Sequence, residues 1–402
     1  MKAVVFTLGC KVNEVESRSV MSSLEEMGFE TSDRLEYADI FILNTCAVTA
    51  EAEKKSRQLI SRARKFNPDA DIFVCGCASE KDKKSFEEKG AVFVTGARRK
   101  QDILKAVSKR YGRNEVGLLY PKKVKSRSFI KIQDGCNNFC SYCIIPYLRG
   151  REVSRAVSDI VTETERTAGA EIVLNGINIS SFGGGLTNLI KALSHIKKRI
   201  RLGSLECNVI DGEFLTSLKN LYDFAPQFHL SLQSGSNAVL KSMNRRYTRE
   251  EYLEKCVLIY KYFPEAAITT DIIAGFATET ESDFSQSLSI IDEAGFARVH
   301  AFMYSPREGT AAFKLKDLPY GVKKQRLDKL IIKSSEAAEK FAGRFIGTFQ
   351  KIIAEEFSDG YSSGYTGNYI KVYVNGKLNA GEIYGVKLIK LFKDGVLGEI
   401  SE

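Results

Sequence analysis

Histidine is scarce in this 402-residue chain: His195, His229 and His300 are the only three, and none sits at zinc-finger spacing to a cysteine pair. Long apolar runs are missing as well. Nothing approaches the roughly 18 consecutive apolar residues of a membrane span, and the short run Ala3 to Leu8 falls short of a signal-peptide core. No strand, G-x-G-x-x-G and helix sequence surrounds Phe182-Gly183-Gly184-Gly185, so that stretch reads as a flexible turn and not a phosphate cradle. These absences argue against a membrane partner, a secreted protein and a zinc finger, and they point to the cytoplasm.

Cysteine, by contrast, is plentiful. Nine cysteines without a secretion signal are thiols of a reducing compartment, available as ligands and not committed to disulfides. The length suits two or three domains at about 150 residues each. The composition is otherwise that of an ordinary globular protein.

Three of the nine stand close together at Cys136, Cys140 and Cys143, a C-x3-C-x2-C loop after the strand-like run Phe129 to Gln133. The irons of a [4Fe-4S] cluster each take a thiolate, so three cysteines with no fourth nearby leave one iron open to a non-protein ligand. The competing readings are a structural zinc loop, which needs a fourth close ligand, and buried free thiols. The triplet resembles the signature of the radical S-adenosylmethionine (radical SAM) superfamily, and Tyr142 before the last cysteine fits that pattern. The resemblance implies that SAM binds the open iron through its amino and carboxylate groups. One electron then releases a 5′-deoxyadenosyl radical.

From residue 1 to 112 apolar runs (Ala3 to Leu8, Asp39 to Asn44, Asp71 to Val74, Ala91 to Val94) alternate with helical patterns (Val12 to Met27, Thr49 to Phe66, Glu80 to Lys89, Arg99 to Tyr111). This is the pattern of a doubly wound parallel-sheet α/β domain. Ligands gather beyond the carboxyl ends of such strands. Cys10, Cys46 and Cys77 each follow a strand, which predicts a second three-thiolate cluster site. Cys75, within the third strand, reads as a buried thiol, with the reverse assignment left open.

Residues 113–127 form a basic linker, with a boundary near Val124. Between Ala97 and Lys131 twelve Lys or Arg face only Asp102 and Glu115. That band suits a polyanion such as RNA, and equally a solvated helix face.

Residues 128–345 hold six strand-like runs (Phe129 to Gln133, Glu171 to Leu174, Ile200 to Leu205, Phe228 to Leu232, Ala267 to Ala274 and Arg298 to Met303) alternating with helices, and end in a long amphipathic helix with Leu327, Leu330, Ile331 and Ala338 on its apolar side. Six units are too few for a closed eight-unit barrel, so the expectation is a partial (βα)6 barrel. Asn175, Gly176, Ser204, Glu206 and Gln233 at its strand ends become candidates to hold SAM, with Tyr142. Residues 346–402 turn to short β runs, a small β-barrel-like module. Its Tyr361, Tyr365, Tyr369 and Tyr373 are candidates to stack on bases, although six lysines against seven acids make the tail slightly negative.

With both cysteine sets placed, the sequence resembles the radical SAM methylthiotransferases. The matching stretches are Thr7-Leu8-Gly9-Cys10-Lys11-Val12-Asn13, Asn44-Thr45-Cys46-Ala47-Val48-Thr49, Gly76-Cys77-Ala78, Ile132 through Arg151, Leu230 to Gly235, Asp271 to Phe276 and Tyr304 to Thr310. The resemblance implies a methylthiotransferase domain, a radical SAM core and a TRAM-like tail, two [4Fe-4S] clusters, SAM, an electron donor and a sulfur source. The Gly-Cys-Lys-Val-Asn motif looks like the MtaB-like branch, which acts on N6-threonylcarbamoyladenosine beside the tRNA anticodon. Three departures stand out: Cys207 replaces a frequent proline, Ala277-Thr278 replaces a usual Pro-Gly, and the tail lacks basic character.

Overall fold

In the computed structural model, which describes residues 1–121 and 126–401, the chain divides into two compact units. Met1–Lys123, Asp134–Glu152 and Ser305–Thr310 make the first; Val124–Gln133, Val153–Tyr304 and Ala311–Glu402 make the second.

Five strands of the first unit, β1 (Lys2–Thr7), β2 (Glu30–Ser32), β3 (Ile40–Thr45), β4 (Asp71–Gly76) and β5 (Phe93–Val94), form a parallel sheet in the order β2-β1-β3-β4-β5. Successive side chains along a strand point to opposite faces. Val4, Phe41, Leu43, Ile72 and Val74 therefore fill one apolar cluster, and Ala3, Val5, Ile40, Ile42 and Phe73 fill another. Burial on both faces explains why β3 reads as an unbroken apolar run. The short β2 escaped sequence reading because three residues show no period.

Helices α1 (Lys11–Glu26), α2 (Ala50–Arg64) and α5 (Lys100–Tyr111) connect or follow the strands, with the Thr49 hydroxyl capping α2 at the Ala52 amide. The helix expected over Glu80 to Lys89 is instead two, α3 (Cys77–Lys81) and α4 (Lys83–Glu87). Asp82 leaves helical geometry between them and its carboxylate caps the Ser85 amide.

The segment read as a linker is docked as far as Leu119. Ser23 Oγ donates to the Gly117 carbonyl at 2.8 Å and accepts the Leu119 amide at 3.0 Å, and Gln101 accepts the Leu118 amide at 2.9 Å. Lys122, Lys123, Lys125 and the boundary expected near Val124 lie outside the described residues. The basic band is not one charged face. Lys100 and Arg127 are buried against Glu16 (2.9 Å) and Glu171 (3.1 Å), Arg110 is taken up by Asp71, and Arg113 lies over the Phe29 ring.

The second unit opens with β6 (Arg127–Lys131). The chain then passes through β7 (Gln133–Asp134), the cysteine loop with α6 (Ile145–Arg149), and β8 (Val153–Ser154). The remaining parallel strands are β9 (Glu171–Asn175), β10 (Arg199–Leu202), β11 (Ser204–Leu205), β12 (Asp223–Phe224), β13 (Gln227–Leu230), β14 (Ala267–Ala274) and β15 (Arg298–Met303). They form two four-stranded sheets, β12-β10-β9-β6 and β11-β13-β14-β15. The third expected run, Ile200 to Leu205, is thus cut at Gly203, its first half pairing with β9 and its second with β13. A Cβ at Gly203 would stand 2.9 Å from the Leu174 carbonyl oxygen, so only glycine fits this corner.

The long helix α7 (Tyr320–Gly343) buries Leu330 but leaves Ile331 52% exposed, a correction to its expected apolar side. Ser334 Oγ accepts the Val299 amide at 2.9 Å and donates to the Val299 carbonyl at 2.7 Å, holding the helix along β15.

Strands β16 (Phe349–Ser358), β17 (Tyr361–Thr366), β18 (Lys371–Asn375), β19 (Ile383–Phe392) and β20 (Gly395–Ile400) close a barrel in the order β16-β17-β18-β20-β19. A buried ion network ties it to the core. Glu171 accepts Arg201 Nε at 2.6 Å and Nη2 at 3.0 Å and pairs with Arg127 Nε at 3.1 Å; Arg127 also reaches Glu355 of β16 at 2.7 Å. Tyr365 and Tyr369 stack at 4.7 Å, each 5.1 Å from the Arg127 guanidinium. Two of the four tyrosines offered to bases are therefore occupied by packing, and a third, Tyr373, is buried and bonded to Asp394.

Burial by itself would raise the Glu171 pKa, but Arg201, Arg127 and Arg199 outweigh it and hold the carboxyl below the ordinary range. That stabilisation is present above the unfolded value of about 4.3 and is lost as pH falls through the lower folded value. Glu171→Gln leaves buried arginines uncompensated and is expected to cost about 3–5 kcal/mol in urea unfolding at pH 7. The gap to the unsubstituted protein should narrow as pH drops below about 4.

Candidate functional site

Each cysteine of the first trio sits where a strand of the first unit hands over to a helix. Cys10 is exposed at the N-cap of α1, Cys46 is buried after β3, and Cys77 is buried as the first residue of α3. They converge. A Cβ on Gly9 would lie 2.9 Å from both Cβ and Sγ of Cys46, and the Cys46 and Cys77 thiols interact electrostatically with each other and with Cys10. Burial pushes the Cys46 thiol up to about 11 and raises that of Cys77, where the Arg149 guanidinium opposes the shift. Cys75 lies with Phe73 in the apolar cluster on the other face of the sheet from Cys77; β4 ends at Gly76 and Cys77 opens α3, so Cys77 escapes the period-two alternation that would have put both thiols on one face.

The polar residues of the surrounding motifs hold these turns in place. Asn13 Nδ2 donates to the carbonyls of Leu8 (2.9 Å) and Thr45 (3.1 Å), beside Cys10 and Cys46. Asn44 Nδ2 donates to the Asn13 carbonyl at 3.0 Å, and Ser56 Oγ accepts the Cys46 amide at 3.0 Å. Thr45 Oγ1 donates to the Cys75 carbonyl at 2.7 Å and accepts the Ser79 amide at 3.2 Å.

Cys136, Cys140 and Cys143, all half-buried, occupy a loop that also belongs to the first unit. The Cys136 amide donates to the Gly150 carbonyl at 3.2 Å and the Cys143 amide to the Cys140 carbonyl at 2.9 Å. Gly135 adopts φ +73°, and a Cβ there would meet the carbonyl oxygens of Arg151 and Gly150 at 2.2 and 2.6 Å. Tyr142 is half-buried in the same loop.

Among the described residues no three His, Cys, Asp or Glu side chains converge tightly enough for a single metal ion. A cluster, whose thiolates each hold a different iron, asks for wider spacing.

The other candidates line the carboxyl ends of the strands of the second unit. Asn175 Oδ1 accepts the Gly176 amide at 2.9 Å, while its buried Nδ2 has no hydrogen-bond partner. Ser204 is exposed just past Gly203, and Glu206 pairs with Arg245 at 3.2 Å. Gln233, at φ +74° and 9% exposed, donates its amide to the Asp271 carbonyl at 2.8 Å. An orphaned buried amide is costly unless a ligand meets it, so Asn175 suits a polar guest such as SAM.

Sequence reasoning gave no role to two groups. Arg149 is fully buried beside Cys77. His229 and His300 stand 5.6 Å apart, with His229 Nε2 3.2 Å from Asp271; they sit on β13 and β15, the two strands that flank β14 and its Asp271, a juxtaposition that only the strand order reveals. Arg307, expected with Tyr304 among the strand-end residues that hold SAM and substrate, bonds Glu53 within the first unit.

Comparison with known proteins places the chain. Residues 2–96 match a model described as "Uncharacterized protein family UPF0004", and residues 130–291 match the radical SAM superfamily. Bacillus subtilis threonylcarbamoyladenosine tRNA methylthiotransferase MtaB is 35% identical over 373 residues, 86% of this chain and 83% of that protein. Its Chlamydia pneumoniae namesake is 39% identical over 76% of this chain and 75% of that one. The chain belongs to the radical SAM methylthiotransferase family. Another relative in this range, 35% identical over 85% of this chain and 73% of its own, is a tRNA-2-methylthio-N(6)-dimethylallyladenosine synthase of Oceanobacillus iheyensis. The fold is also that of the radical SAM methyltransferase TsrM from Kitasatospora setae, at TM-score 0.56 and 13% identity, covering 90% of this chain and 80% of that one. As a radical SAM methylthiotransferase the protein works with two [4Fe-4S] clusters and SAM.

Gly9→Ala should push Cys46 aside while leaving the fold intact. Iron bound after anaerobic reconstitution is expected to fall from about eight toward about four per chain, the share of one cluster. Circular dichroism should not change.

Proposed function

We propose that this methylthiotransferase converts N6-threonylcarbamoyladenosine at position 37 of tRNA, in the anticodon loop, to its 2-methylthio derivative, in the cytoplasm. The observation that carries the reading is the Gly9-Cys10-Lys11-Val12-Asn13 motif, supported by two relatives of that name at 35 and 39% identity. Methylthiolation of N6-isopentenyladenosine is the second reading, favoured by relatives such as that of Oceanobacillus iheyensis.

Cys136, Cys140 and Cys143 hold one cluster, and Tyr142, Asn175, Gly176, Ser204, Glu206 and Gln233 are the residues assigned to SAM. Cys10, Cys46 and Cys77 hold the other. Bound there, these groups supply the radical, the sulfur and the methyl group that the product requires. The chain's own task is to exclude water and hold the base, since the C2 hydrogen of adenine is beyond the reach of side-chain acid–base catalysis. Asn175 fits its part because its unpartnered amide donates to a polar group of SAM without breaking an existing bond.

Anaerobic incubation with threonylcarbamoylated tRNA, SAM, a sulfide source and a reductant is expected to yield the 2-methylthio nucleoside by mass spectrometry. Product from isopentenylated tRNA alone would reverse the choice of acceptor, and product from a ribosomal-protein aspartate would remove tRNA altogether. Absence of 5′-deoxyadenosine from reconstituted, reduced protein would favour a non-enzymatic iron–sulfur RNA-binding protein. Cys77→Ala and Cys136→Ala should each lose about half the iron, and only Cys136→Ala should lose 5′-deoxyadenosine formation.

A further inference from the structure

The Arg149 side chain has no exposed surface. Its Nη1 donates to Glu16 Oε1 at 3.1 Å and Asp134 Oδ1 at 2.9 Å, and its Nη2 to Asn13 Oδ1 at 2.6 Å and Glu16 Oε2 at 3.2 Å. The guanidinium stands close enough to the Cys77 thiol for charge to act between them, and its Nε has no hydrogen-bond partner.

Two neighbours of this side chain, Asn13 and Asp134, lead to cysteines. Asn13 holds the turns of Cys10 and Cys46 through the Leu8 and Thr45 carbonyls. Asp134 Oδ1 accepts the Gly135 amide at 2.8 Å, next to Cys136, and the carbonyl of Gly150, next to Arg149, accepts the Cys136 amide. One planar group therefore fixes both trios within the first unit. Glu16 and Asp134 are balanced by Arg149 and by Lys100, whose Nζ is 2.9 Å from Glu16. Arginine cannot shed its charge, so thiolate beside it meets a permanent cation.

We propose that Arg149 is a positioning residue that fixes the two cysteine trios relative to each other and raises the reduction potential of the cluster on Cys10, Cys46 and Cys77. This rests on the reading that those three cysteines hold a cluster. A buried cation stabilises the reduced, more negative state, while a carboxylate near it does the reverse. Neither substrate nor SAM touches Arg149 in this scheme; it acts through Cys77 and through Asn13.

The test uses full-length protein carrying Cys136→Ala, Cys140→Ala and Cys143→Ala, so that only the N-terminal cluster remains, titrated with dithionite and followed by electron paramagnetic resonance. Arg149→Met is expected to shift the reduction equilibrium at least tenfold toward the oxidised state, about 59 mV for one electron. Arg149→Lys should restore most of it. Glu16→Gln should move the potential the opposite way, which loosened packing does not predict, and it decides alone if Arg149→Met fails to fold or load iron. Unmoved potentials in iron-loaded variants overturn the inference and spare the two-cluster reading. Absence of iron from the triple-alanine parent overturns both.

Discussion

A buried guanidinium that cannot be neutralised has to be surrounded by acceptors, and much of the first unit is arranged around meeting that demand at Arg149. Glu16 and Asn13 come from one face of α1, three residues apart and so neighbours on the helix, and Asp134 comes from the far side of the sequence. Asn13 then has only its amide left to donate, and it donates to the two turns that carry Cys10 and Cys46. Removing the arginine would take their shared cation from two core carboxylates, beside the buried Cys77 thiol. The same side chain thus satisfies a folding requirement and shapes the electrostatics of the thiol set.

The parallel sheet supplies the second constraint. All its strands end on one side, so residues that follow β1, β3 and β4 meet there whatever their separation in sequence. Gly76 shows how tight the approach is: at φ +111°, a Cβ there would fall 2.3 Å from the Thr45 carbonyl oxygen. Turns packed this closely leave little slack for the thiols they carry, and the burial that raises the Cys46 and Cys77 pKa values is the same tightness seen electrostatically. A metal taken up by these thiols would have to displace those protons, which links any such binding to pH.

In the second unit the comparable role falls to Glu171, where three arginines from β6 and β10 share one carboxylate at the base of the strands. The network continues into the barrel through Glu355 and the stacked Tyr365 and Tyr369. Aromatic and basic residues that look available in sequence are consumed by this join. Tyr361, with Phe392 at 5.2 Å and Lys393 over its ring at 5.3 Å, remains half-exposed on the barrel.

The cysteine loop, the alternation of strand and helix, and the placing of Cys10, Cys46 and Cys77 after strands were legible in the sequence because each is a local pattern or a direct consequence of parallel topology. The strands β14 and β15 were read to the residue for the same reason, being long, apolar and bounded by turns. Tertiary structure alone decided the corner at Gly203, the partnership of His229 with His300 and the destination of Arg127, Lys100 and Arg149. A charged side chain in sequence looks the same whether it ends in water or against a carboxylate many positions away, since periodicity carries no information about which partner arrives. That choice is made by packing, when desolvation forces each buried charge to find its opposite.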